Sequence, residues 1–564
     1  MKKLTVFLMT LSFAFTLAAC SGKKPTATIE SENIKRSSYS FDLKVDDKDM
    51  VTKGSVLVNF YKITKKDESL VSTKTLSTFS ETVSVTGLDS NTDYRADVLC
   101  TYNKKSHIIY SWTFKTNEKG TEFDPIVITT FKELVDNIAN DYSSDAYYEL
   151  ANDLDFTDYK DEEGKAIDFS GMSTTSSTSF QGHLDGKGYS IKNVTLTSSQ
   201  TYNGIFGYLK GTIKNLKIEN ANVEVTRETS TTTYSGILCG YGYQAKLVDV
   251  DIIDSKLNVS AKTQYTGGIA GYGFATNFNY CDTDNVEITS SGSSTAYVGG
   301  ITSYLCQNSS NKYGKIYSST VDEKITISKT QTLYYGGLVG LVKAGASIDC
   351  GLANVEATIN GYGLTKAGGV VGQANLNSSD DFKSIKNVVA KGNITFKSIK
   401  ETDVIECNDD IFIGGLIGTA TAVYLDGAYS EMNIDIEAKA KENKKIYSGL
   451  AFGNGYESHT ELHNSIINGS VTAVTTGSND AAEISIHGYD GATYIDADSN
   501  EKPLSTIDSE TVKYVKIELD IDGVSQNYPS PISISDAKSV SGWDLNIWDV
   551  TVNNDKLDIK FKNE

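Results

Sequence analysis

Residues able to do acid–base or metal chemistry are few in this chain and seldom cluster. Its five histidines are His107, His183, His459, His463 and His487, and none is followed by Glu, so the H-E-x-x-H zinc motif is absent. "HTELH" (459–463) sets two histidines four apart, a metal-binding spacing on a helix. Its surroundings read as strand, where residues four apart lie about 13 Å from one another, so two surface histidines are expected. Carboxylates make a stronger signal. "VDVDIID" (248–254) would put Asp249 and Asp251 on one strand face, and "CDTDN" (281–285) adds Asp282 and Asp284 one repeat later. Such a group could hold calcium or act as acid and base. The same alternation of Asp with Val or Ile is what any solvated strand face shows. "DLDFTDYKDEEG" (153–164) lacks the D-x-[DN]-x-[DN]-G spacing of a calcium loop and reads as an exposed loop. Glycine strings such as "GGIAGYG" open no helix, so no dinucleotide site is implied. We expect no catalytic constellation, no metal and no cofactor.

The charge balance narrows the partners. In 564 residues, 72 Asp and Glu face 52 Lys and Arg, a net charge of −20, and the only arginines are Arg36, Arg95 and Arg227. Such a chain repels phosphate backbones, which argues against nucleic acid. Residues 1–19 read as a targeting segment: Lys2 and Lys3 precede the apolar "LTVFLMTLSFAFT", too short for a comfortable membrane span. "LAAC" (17–20) follows at once and resembles the bacterial lipobox. That resemblance implies that Cys20 is the lipidated N-terminus of an exported protein, held by the membrane through its acyl chains on the bacterial cell membrane or outer surface. The other six cysteines (Cys100, Cys239, Cys281, Cys306, Cys350 and Cys407) are scattered without C-x-x-C spacing and read as small buried hydrophobes.

The elements that would position such residues are almost all strands. After a polar tether (20–28), alternating runs such as "SYSFDLKV" (38–45), "SVLVNFYKI" (55–63) and "YRADVLCTY" (94–102) predict a small β-sandwich over 29–118. Within it, "LDSNTDY" (88–94) resembles the tyrosine corner of fibronectin type III domains. The resemblance implies that the Tyr94 hydroxyl bonds back to the chain. Ser90 stands where that family usually has Pro, and Phe41 takes the place of the early core Trp. "TFKELVDNI" (130–138) is the one clear helix, with Thr130 and Glu133 as a capping box and Phe131, Leu134, Val135 and Ile138 on one face.

Beyond it the chain repeats itself. Aligned on one glycine, the units fall at Gly204, Gly236, Gly268, Gly300, Gly337, Gly369, Gly415 and Gly449, spaced 32, 32, 32, 37, 32, 46 and 34 residues apart. Each glycine precedes an aliphatic residue: Ile205, Ile237, Ile269, Ile301, Leu338, Val370, Leu416 and Leu450. About a dozen residues later an apolar residue and then a small polar residue or Cys recur, as in "IKN" (213–215), "LVD" (247–249), "IDC" (348–350), "IKN" (385–387) and "LHN" (462–464). A fixed period of short β segments without helices predicts an all-β fold: a right-handed parallel β-helix solenoid over 124–480, behind the sandwich. The aliphatic column should face inward, and the polar column should mark a corner. "NGIFGYLKGTIKNLKIENANV" (203–223), "GGLVGLVKAGASIDCGLANVEATI" (337–359) and "GGLIGTATAVYLDGAYSEMNI" (414–434) resemble the GLUG motif. That motif recurs in bacterial surface β-helices and beside some immunoglobulin-A metallopeptidase domains. Residues 481–564 read as further β coils and a cap, in which Trp543 and Trp548 would cover the C-terminal end as the helix covers the other.

The order of anchor, sandwich and rod describes a display device, so the function expected is cell-surface binding or adhesion to an extracellular ligand, a glycan or a protein. The alternatives are a β-helix carbohydrate-active enzyme, polysaccharide lyase or glycoside hydrolase, and a structural envelope protein. The residues singled out for ligand contact stand two before the repeat glycine: Tyr202, Tyr234, Tyr335 and Tyr447. By alternation they should point to solvent, there either to stack on sugar rings or to stack on neighbouring coils. Thr266, Val298, Ala367 and Ile413 break the column, which favours the second.

Overall fold

The computed structural model describes residues 24–561 apart from short stretches within that span, the longest being 537–547. Cys20 and the 1–19 segment lie outside the described residues, as do His459 and Trp543. The chain divides into two compact units, Met1–Asp124 and Pro125–Glu564.

The first unit is the sandwich. Its strands are β1 (Thr26–Ile34), β2 (Ser38–Asp46), β3 (Leu57–Ile63), β4 (Glu68–Thr75), β5 (Ser80–Thr86), β6 (Asp93–Tyr102) and β7 (Lys105–Lys115). They form sheets ordered β1-β2-β5 and β4-β3-β6-β7. Alternation in β2 buries Tyr39, Phe41, Leu43 and Val45 against Val58, Phe60, Val98 and Phe114 of the facing sheet. The corner is present: the Asp89 N–H donates to the Tyr94 hydroxyl at 2.8 Å. Trp112 of β7 meets Phe41 edge-on at 5.0 Å and donates its indole N–H to the Tyr39 hydroxyl at 2.9 Å, so an indole reaches this core from the last strand instead of an early one. The tether is shorter than expected. Thr26–Ile34 is already a strand, antiparallel to β2, but only Ala27 of it is fully buried, which leaves no alternation to read.

The second unit is the solenoid. Helix α1 (Phe131–Asp141) carries the capping box on Thr130 and Glu133, and it buries Phe131, Leu134 and Ile138 in the same core as the first coil's Tyr148 and Leu150. Parallel pairing then runs from coil to coil. A typical turn comprises Thr263–Gly267, Ala270–Phe274 and Asn277–Ser291. The aliphatic column faces inward throughout, with Ile205, Ile237, Ile269, Ile301, Leu338, Val370, Leu416 and Leu450 all fully buried. The polar column is a corner in the left-handed backbone region: Asn215, Asp249, Tyr280, Ser318, Cys350, Asn387, Gly427 and Asn464 have φ between 45° and 69°. Asn and Asp tolerate that conformation best after Gly, which explains their recurrence there. Several brace the previous coil, as when Asn215 Nδ2 donates to Asp185 at 2.9 Å and Asn464 Nδ2 to Asp426 at 2.7 Å.

The register of the repeat glycines differs from the expected one by a single residue. Gly236 pairs with Gly267, and the column continues through Gly299, Gly336, Gly368, Gly414 and Gly449. The second glycine of each pair turns inward against the opposite sheet. A Cβ on Gly337 would lie 2.1 Å from the Gly369 carbonyl oxygen and 2.9 Å from Ala353 Cβ, so no larger residue fits. All six described cysteines are buried free thiols.

The C-terminal segment departs from expectation. Val524–Asn527 lies antiparallel on Lys513–Ile521, so a hairpin strand covers the last sheet edge. Trp548 does not cover the end. The hairpin of Trp548–Asn553 and Lys556–Phe561 packs sideways on four successive coils, against Cys350, Val389, Tyr429 and Ile466. Those side chains stand at or just past the left-handed corner, where the bend turns apolar groups outward and leaves a flank to be covered.

Candidate functional site: a tyrosine ladder beside a lysine cleft

The one-residue shift redraws the tyrosine column. Backbone pairing aligns Tyr202, Tyr234, Tyr265, Tyr297 and Tyr334, followed by Lys366, Phe412 and Tyr447. Tyr202, Tyr234 and Tyr447 therefore stand in the outward column as expected, half-buried. Tyr335 does not. It occupies the inward position, fully buried, because sliding a strand by one residue exchanges its faces. Tyr265, Tyr297 and Tyr334 take the places that sequence alignment assigned to Thr266, Val298 and Tyr335.

A second column, absent from the expectation, lies beyond the glycine turn: Tyr208, Tyr241, Tyr272 and Tyr304. Rings in the first column stack at 5.4, 5.0, 4.4 and 4.7 Å, and those in the second at 4.9, 4.9 and 4.6 Å. The columns meet edge to face, as between Tyr202 and Tyr208 at 5.0 Å and between Tyr265 and Tyr272 at 5.2 Å. Interior rings thus spend both faces on neighbours, and what remains for solvent is ring edges and hydroxyls. Burial raises the phenol pKa values, that of Tyr208 to about 12, so these groups stay protonated donors. Lysines close the ladder: Lys210 Nζ lies 5.5 Å from the Tyr208 ring, Lys343 Nζ 5.7 Å from Tyr304 and Lys366 Nζ 5.5 Å from Tyr334.

Beside this ladder a third short stack, Tyr243 on Phe274 at 5.1 Å, leads directly into Gln244 and Ala275. Those two residues line a cleft of about 650 Å³ with Lys246, Asn277, Lys312 and Lys315. The five turns that build ladder and cleft (201–217, 231–247, 262–281, 293–318 and 330–348) contain eight lysines and no Asp or Glu, in a chain carrying 72 acidic residues. This absence was legible in the sequence once the turns were phased, and it is the signal that sequence reasoning missed.

The expected carboxylates lie in the intervening segments. Asp251 and Asp282 pair in register, but Asp249 sits on the left-handed corner, so it does not share a strand face with Asp251. Asp284 pairs with Ile253. Burial, and then the charge of Asp249, push the Asp251 carboxyl up, while Lys217 opposes them. His463 is held between Asp508 and Glu461 at 3.2 and 2.9 Å and stacks on Tyr424. Among the described residues, no group of three or more His, Cys, Asp or Glu is placed to hold a metal ion.

Inside the rod, Tyr335 lies near Glu323, another fully buried group. Thr283 donates to one Glu323 oxygen at 2.9 Å, while the other oxygen and the Tyr335 hydroxyl have no hydrogen-bond partner. Burial pushes the Glu323 carboxyl up to about 8. The carboxylate fits because Gly268 has no side chain: a Cβ there would lie 2.6 Å from Glu323 Oε1.

No protein-family model matches the chain, and no curated protein is similar to it. Among solved structures, the third fibronectin III domain of human KIAA0343 protein is 12% identical, covering 19% of this chain and 98% of that one with a TM-score of 0.13. The pectate lyase PelI from Erwinia chrysanthemi, in complex with tetragalacturonic acid, is 8% identical over 88% of this chain and 100% of its own, with a TM-score of 0.12. Pectate lyase Pel3 from Pectobacterium carotovorum is 8% identical over 87% and 100%, with a TM-score of 0.13. The fold rests on the strands themselves: an all-β chain with a fibronectin-like sandwich and a parallel β-helix.

Proposed function

We propose that the protein is a bacterial surface lipoprotein, anchored through Cys20, whose β-helix binds an extracellular glycan along the tyrosine flank. One observation carries this reading: five consecutive turns keep phenols, amides and eight lysines on one flank and contain no Asp or Glu, the first carboxylate being Asp349 at the edge of the cleft. Rows of phenol hydroxyls at about the coil spacing of 4.8 Å suit hydrogen bonding to successive sugar hydroxyls, with ring edges as the apolar partner. The lipobox-like "LAAC" and the GLUG-like repeats support display at the cell surface. An array of glycans and matrix proteins probed with the chain from residue 21 tests the reading, and binding to glycans alone is expected. Equal binding to matrix proteins, or none at all, would remove it. Anchoring is tested separately, since Cys20→Ala should move the protein out of the membrane fraction.

A structural spacer is the second reading, favoured by the rings' mutual stacking. Replacing Tyr202 and Tyr234 with Ser separates the two, because a spacer loses only melting temperature while a binder also loses ligand. A catalytic rod would draw on the Asp251 and Asp282 pair, and release of reducing ends from a bound glycan would reveal it.

A further inference from the structure

We infer that the cleft beside the ladder recognises an acidic glycan, a carboxylate- or sulfate-bearing polysaccharide, which names the ligand class for the reading above and rests on it. Lys246 comes from one turn and Lys312 and Lys315 from the second turn after it, and with Gln244, Tyr313 and Asn277 of the turn between they line one concavity. Lys312 Nζ donates to Gln244 at 2.9 Å and Lys315 Nζ lies 4.4 Å from the Tyr317 ring; among the described residues none of the three lysines is paired with a carboxylate. Among the described residues the only carboxylate lining the cleft, Asp349, already accepts from Asn387 of the next coil at 3.0 Å.

Elsewhere on the rod several lysines are paired with carboxylates: Lys192 with Asp153 at 2.8 Å, Lys214 with Asp185 at 3.2 Å, Lys256 with Glu287 at 2.9 Å and Lys397 with Glu437 at 2.8 Å. Three unpaired cations around one cleft, in a chain of net charge −20, form a local positive field within a repulsive surround. That arrangement attracts an anion only where it can reach the cleft, which gives position as well as affinity. The occupant is a polymer carrying spaced single charges rather than a dense phosphate backbone. The cleft adjoins the Tyr243–Phe274 stack through Gln244 and Ala275, and a chain of net charge −20 repels a densely charged polymer.

The test is a titration of the chain from residue 21 with hyaluronan, chondroitin sulfate and neutral dextran, at 50 and 500 mM salt. Both acidic polymers should bind and dextran should not, with affinity falling about tenfold or more at high salt. The double variant Lys246→Gln, Lys315→Gln should lose about tenfold or more at unchanged melting temperature, while Lys74→Gln on the sandwich binds as the parent does. Dextran binding equal to hyaluronan, unaffected by the lysine variant, overturns the inference and leaves glycan binding intact. Failure of every polysaccharide overturns both. Binding to phosphatidylglycerol vesicles with no response to polysaccharide overturns it in favour of a lipid surface.

Discussion

The two flanks of the solenoid are built by the same coils yet carry opposite chemistry. On the tyrosine flank, rings stack on rings and the five turns carry eight lysines and no Asp or Glu. Beyond the left-handed corner the surface is a set of polar ladders: Asn393 donates to Glu356 at 2.8 Å, Asn433 to Asn393 at 3.0 Å, and Ser470 to Asn433 at 2.9 Å. Threonines stack beside them from Thr289 through Thr326 and Thr358 to Thr395. Both flanks close the same aliphatic interior, so neither needs its particular side chains to keep the core dry. A repeat therefore leaves two outer surfaces to vary independently. One here is a self-satisfied solvated face, and the other concentrates aromatic area and lysines.

The harshest break in this comparison removes what both flanks share. Leu338→Asp places a charge where no partner can reach it and should cost about 4 kcal/mol or more, read as a collapse of the urea midpoint with loss of β circular dichroism. A variant that melts like the parent would mean that the two flanks do not close one core.

Glu323 comes next. Its folded pKa of about 8 stands above the ordinary 4.5, so the folded state keeps a proton that the unfolded chain has released. Stability should fall as pH rises from about 4.5 to about 8 and then level off. Glu323→Gln should flatten that slope and gain on the order of 3 kcal/mol at pH 8. An unchanged pH profile of thermal melting would show that Glu323 is not the group responsible.

The flanks are compared directly by two single substitutions. Tyr265 is stacked on both faces and touched by two further rings, so Tyr265→Ser should cost about 2 kcal/mol. Asn433→Ala interrupts an exposed polar ladder and should cost about 1 kcal/mol or less. Equal losses would break the contrast, since the tyrosines would then contribute no more than a solvated ladder does.

Much of this was open to sequence reasoning. The period near 32 residues, the inward aliphatic column, the Asn- and Asp-rich corner, the capping box on Thr130 and the tyrosine corner at Tyr94 follow from side-chain type and local backbone preference. Each of these is written within a few residues or repeated at a fixed interval. Segments "IKN" and "LHN" announced their corner because few side chains accept a positive φ.

What the sequence could not decide was phase. In "YYGGLVG" either glycine can be matched to the single glycine of "YNGIFG", and either choice keeps Leu338 inside. Only the hydrogen-bonded register between coils selects Gly336, because the second glycine must rest its bare Cα against the opposite sheet. That single residue of phase sends Tyr335 into the core beside Glu323 and brings Tyr334 out to the ladder. A strand's period of two makes burial all-or-none with respect to phase, and phase is set by contacts between residues some 30 positions apart.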